Sequence, residues 1–131
     1  MEFIDRNKSV EEVKMLSPLV WAYIGDSVYE LYIRTFLVNN SNAKPHKLHM
    51  EAIKYVKAES QANIVKKIKD KLTEEEQDII RRGRNTENHH VAKNANLGDY
   101  SMSTGFEALI GYLYMTRQDE RLKEVLNLCI D

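Results

Sequence analysis

Apolar residues recur along this chain at helical spacing, and strand-like alternation is almost absent. Ser9 and Glu12 fit an S-x-x-E capping box, in which side chain and backbone satisfy each other's amides, and predict a short helix to about Leu16. Ser17-Pro18 reads as an N-cap followed by proline at the first helical position, where its missing N–H costs nothing. The run that follows, LVWAYIGDSVYELYIRTFLV, predicts a helix to about Val38 that is apolar nearly all round, and such a helix is covered on most sides. After the polar break Asn39-Asn40-Ser41-Asn42, Pro45 opens a second long helical stretch, KLHMEAIKYVKAESQANIVKKIKDKL. Thr73 and Glu76 form another capping box, with its helix expected to end near Arg82-Gly83. Periodicity is then lost from Arg84 to Ser103, and an irregular stretch of that length in a compact domain is usually functional. Thr104 is expected to start a helix, GFEALIGYLYMTR, and Asp119 to cap a last one. The pattern predicts an all-α fold of about five to seven helices.

Composition agrees with this and narrows the function. The 131 residues suit one domain over 1–131, and low Gly and Pro favour helix throughout. Cys129 is the sole cysteine and cannot form an internal disulfide, so the cytoplasm is the expected compartment. No apolar run approaches a membrane span, and MEFIDRNKSVEE has no apolar core for a signal peptide. A net charge of -1 excludes a uniformly basic nucleic-acid binder, but the charge is unevenly spread. Residues 41–98 carry 12 Lys/Arg and 8 Asp/Glu, whereas the two ends carry 7 and 12. The middle can face a polyanion; solvated helix faces explain the same counts.

Two acids stand out against apolar helices. Asp26 lies at the centre of the most apolar run, beside Gly25 and one turn before Glu30 on the same face. Buried there, a carboxylate needs an ion pair, hydrogen bonds or a cation. Glycine within a helix costs about 1 kcal/mol relative to alanine, so Gly25 suggests close approach of another element. Glu107 lies in TGFEALIGYLY, where Thr104 and Glu107 also fit a capping box. Two carboxylates brought together from different helices are what Mg2+ requires, with waters completing its octahedron, and metal-assisted phosphodiester hydrolysis uses such a site. Separate roles, a salt bridge for Asp26 and a cap for Glu107, remain open.

YIGDSVYE over Tyr23 to Glu30 resembles the signature helix of the ribonuclease III family, and FEALIGYLY over Phe106 to Tyr114 resembles that family's second motif. The resemblance runs from about Leu16 to the end of the chain, and the two motifs in this order are more specific than either acid alone. It is closest to the branch made of the catalytic domain only, with no double-stranded-RNA-binding domain after Asp131. The chain departs from the family pattern at Leu19, Ala22 and Thr104, where acidic residues are usual. The resemblance implies a Mg2+-dependent endoribonuclease that cuts double-stranded RNA as a homodimer and leaves 5'-phosphate ends. Asp26 and Glu107 are its implied metal ligands and catalytic residues, supported by Glu30 and Thr104. For this branch it further implies maturation of the large-subunit (23S) ribosomal RNA precursor, with room for a ribosomal protein as helper. Dimerisation through the signature helix would draw on Trp21, Tyr23 and Tyr29, for which ordinary core packing is the alternative. The three departures motivate a second reading, a non-catalytic helical RNA-binding or ribosome-assembly module of the same fold.

A-form RNA is bound through phosphates and 2'-hydroxyls, which calls for cations and hydrogen-bond donors. The candidates are Arg81, Arg82, Arg84, Lys93, Asn94 and Asn96, around His89-His90. Arginine suits phosphate through its planar, permanently charged fork. The histidines have no partners at metal-site spacing, and the Lys66, Lys67, Lys69 and Lys71 group reads as a solvated face.

Overall fold

The computed structural model describes residues 2–86 and 96–130, and these are helical throughout with no strand among them. Helix α1 (Val10–Lys14) and the long α2 (Pro18–Asn40) begin where the caps predict. Ser9 and Glu12 make both capping-box bonds, and Ser17 accepts from the Leu19 amide. The stretch after Pro45 is two helices, α3 (Pro45–Val56) and α4 (Ala58–Ile68), rather than one. Lys57 leaves the helical conformation at φ -67° and ψ 154°, and the bend lets α3 lie on α2 while α4 lies on α6. A 3-10 turn (Lys69–Lys71) leads to α5 (Glu74–Asn85), which opens with the expected Thr73/Glu76 box. That helix runs through Gly83 instead of ending there, because Gly83 is a point of contact with α6: a Cβ on it would lie 2.9 Å from Gly105 Cα.

Helix α6 (Leu97–Met115) starts seven residues before the expected Thr104. Its cap is Asn96, which accepts from the Asp99 amide, and the proposed Thr104/Glu107 box does not form. The Ser103 and Thr104 hydroxyls instead donate to the Tyr100 carbonyl at 2.7 and 3.1 Å, inside the helix. From Ser103 to Tyr114 every residue of α6 except Glu107 is buried, so α6 is the axis of the core. Helices α2, α4 and α5 pack around it, and α7 (Asp119–Ile130) closes one end. At that end Arg121 grips the buried Glu76 with two hydrogen bonds of 2.8 Å, tying α7 to the start of α5.

The crossing of α2 over α6 fixes what comes next. A Cβ on Gly25 would fall 1.8 Å from the Glu107 carbonyl oxygen, and one on Gly111 would fall 1.7 Å from that of Trp21. Only two glycines let these backbones touch. Edge-to-face pairs flank the crossing, Trp21 with Tyr112 at 5.1 Å and Tyr29 with Phe106 at 4.9 Å. Among the described residues, no helix is long and apolar enough to cross a membrane.

Candidate active site

Backbone contact at Gly25 sets Asp26, the next residue of α2, against Glu107 on α6. The two carboxyls line one cleft and Asp26 is near enough to raise the Glu107 carboxyl, which excludes separate roles in different parts of the molecule. Their environment differs from expectation in one respect: Asp26 is exposed in the single chain, and Glu107 is the more buried of the two. Burial first, then the charge and hydrogen bond of Asp26, push the Glu107 carboxyl up to about 8; Glu30 adds to this, and a hydrogen bond from Gln61 opposes it. Among the described residues, neither acid forms an ion pair. No described residue supplies the salt bridge that was the alternative for Asp26.

The pair opens on a cleft of about 310 Å³ lined by Leu19, Ala22, Tyr23, Asp26, Tyr100, Ser103, Thr104 and Glu107. Leu19 and Ala22 make an apolar wall, and the polar first turns of α6 make the other. Glu30, one turn from Asp26, is half-buried and pairs with Arg34 at 2.9 Å. Two juxtaposed carboxylates without a cation suit a hard divalent ion, which would take the place of the shared proton. Among the described residues no group of three or more His, Cys, Asp or Glu gathers as a metal cage. Hard divalent ions such as Mg2+ are usually held by one or two carboxylates with waters and phosphate oxygens making up the rest, which two acids could provide.

The remaining candidates separate. Arg82 and Arg84 are exposed on either side of Gly83, which meets the Thr104 backbone in the cleft wall. The Arg82 guanidinium lies 4.9 Å over the Trp21 ring, and Arg84 donates to Asn85. Arg81 is paired with Asp78, and the Asn96 side chain caps α6. Lys93 and Asn94 lie outside the described residues, as do His89 and His90. Trp21 and Tyr29 are 0% and 1% exposed in the chain's own core, where they donate to the Val13 and Tyr55 carbonyls, so they offer no surface to a partner. Tyr23, 77% exposed, does. Gln61, which the sequence reading passed over, reaches the site from α4.

The ribonuclease III domain pattern matches residues 19–118, a span containing both acids and every wall of the cleft. The chain belongs to the ribonuclease III family. It is accordingly an endoribonuclease, and its relatives within the family are close. The chain is 52% identical to Mini-ribonuclease 3 of a Thermoanaerobacter species, over 92% of this chain and 84% of that one. It is 45% identical to Mini-ribonuclease 3 of Clostridium tetani, over 98% and 86% respectively. A crystal structure of a Fusobacterium nucleatum protein superposes with a TM-score of 0.79 at 29% identity, covering 90% of this chain and 94% of that one. The ribonuclease names of these relatives, together with the domain match, favour the catalytic reading over a non-catalytic module of the same fold.

Proposed function

We propose that this endoribonuclease cuts double-stranded RNA with Mg2+ held by Asp26 and Glu107, and that it matures the large-subunit ribosomal RNA precursor in the cytoplasm as a homodimer. The observation that carries the reading is the juxtaposition of the two carboxyls in one cleft, fixed by a glycine-to-backbone crossing and unpaired with any described cation. Bound between them, the ion would acidify its water and offset charge developing on the phosphate. The chain's own residues hold and orient. Asp26 is the more exposed of the two acids lining the cleft, and Glu107 the more buried. Thr104 keeps the wall beside Glu107 short and neutral, and Arg82 and Arg84, both exposed, supply fixed positive charge for the RNA backbone.

Symmetry supplies the second strand's cut. Val20, Tyr23, Leu31 and Val38 are exposed apolar residues at helical spacing on the outer face of α2, opposite its buried face. Paired about a two-fold axis, this stripe would bury itself and set two sites side by side, one for each strand. The test is incubation of long double-stranded and single-stranded RNA with the protein and Mg2+, with Asp26→Asn as control. Cleavage of the duplex alone, giving 5'-phosphate ends and abolished in the variant, is expected. Equal cleavage of single strands would overturn the substrate assignment.

A further inference from the structure

We infer that Gln61 is a positioning residue for the metal site, acting through Glu107; the inference rests on the metal reading above. Gln61 lies on the face of α4 that packs on α6, in a row with Ala62, Ile64, Val65 and Ile68, all buried. At 1% exposure it is the most deeply buried polar side chain of the described chain, in a place where an apolar residue would continue the row. Its Nε2 amide donates to Glu107 Oε2 at 3.5 Å. Around Glu107, Asp26 and Glu30 on α2 both bring negative charge, and Gln61 is the group that opposes them.

A neutral amide suits this position better than any other side chain of its length. A carboxylate would add a third negative charge, and a lysine would form an ion pair and neutralise the ligand that the metal needs. The amide can only donate or accept, and with its nitrogen toward Glu107 it stabilises the ionised form without competing for the cation. It also occupies one oxygen of Glu107, Oε2. The long contact has room to shorten once an ion fixes the carboxylate, as hydrogen bonds in unliganded sites commonly do.

The test uses the whole protein without RNA. In a Mg2+ titration followed by NMR, the side-chain amide protons of Gln61 are expected to shift saturably, in step with the carboxyl signals of Asp26 and Glu107. In parallel, Mn2+ binding is measured on Gln61→Met, which keeps the volume and removes the donor, and on Gln61→Leu, which keeps the apolar stem and removes both polar atoms. Both variants should bind Mn2+ about tenfold more weakly, as loss of an outer hydrogen-bond partner typically gives, with the affinity of Asp26→Asn protein for duplex RNA unaltered by adding either change. Movement of Asp26 and Glu107 without Gln61, or wild-type Mn2+ affinity in either folded variant, overturns the inference and leaves the metal site standing. Absence of any response to Mg2+ at the two acids overturns the metal reading itself, and the inference with it.

Discussion

Burial and the neighbouring charge of Asp26 hold the Glu107 carboxyl at about 8, against an ordinary value of 4.5. Between those values the folded, metal-free chain keeps a proton that the unfolded chain has released, so this group's contribution to stability falls as pH rises through the window. Metal-free protein should therefore melt progressively lower from about pH 5 to 8 on account of Glu107, and Glu107→Gln should flatten that slope; thermal unfolding over the range checks it. The same proton competes with metal. Below about pH 8 the apparent metal affinity should rise roughly tenfold per pH unit, with about one proton released per ion bound, measured by calorimetry in buffers of different ionisation enthalpy. An affinity that does not change with pH would mean that Glu107 is not a ligand. Asp26 was legible at this scale as an acid in an apolar helix, although it proves to be exposed. Glu107 was legible as a second acid in an apolar helix, although Thr104 three residues before it copies the capping pattern and kept a cap open as the alternative. Gln61 carried a signal too, a lone polar residue on the apolar stripe of α4, but nothing local distinguishes a buried amide from a solvated one.

The crossing of α2 and α6 is the element on which the site depends. Gly25→Ala would set a methyl 1.8 Å from a backbone oxygen, which no rotamer can relieve, so the helices must separate. The expected cost is about 3 kcal/mol or more, above the usual range for overpacking because backbone must move, and read as a fall in urea midpoint. Activity should fall further than stability does, since Asp26 moves away from Glu107. Most elements were legible because their starts are written locally: Ser9, Ser17 and Thr73 cap where the sequence places them. Two boundaries were not, and both are set by tertiary packing. Gly83 has the composition of a helix end but serves as a contact with Gly105 and Ala108. The first turns of α6 read as loop because Tyr100, Ser103 and Thr104 are polar, and they are polar because they line the cleft. The break at Lys57 has no proline or glycine to announce it and follows from α3 and α4 covering different helices.

Across the whole molecule, a nearly neutral chain has to hold a polyanion, and two copies would double both the basic face and the sites. Leu31→Glu, on the exposed stripe of α2, should shift the protein from dimer to monomer in sedimentation and lower duplex cleavage with little change in melting at matched protomer folding. Arg82→Ala with Arg84→Ala should raise KM more than it lowers kcat and flatten the salt dependence of RNA binding. The reverse split would move these arginines into transition-state stabilisation. Whether the carboxylates of α2 and α6 act as one site is read from the rates of Asp26→Asn, Glu107→Gln and the double variant on long duplex RNA with Mg2+. Each single change should lower kcat by roughly 10³-fold, as removal of several kcal/mol of metal-borne stabilisation implies, and the double should lower it no further. A single variant near the wild-type rate, or losses that multiply in the double, would contradict one shared site.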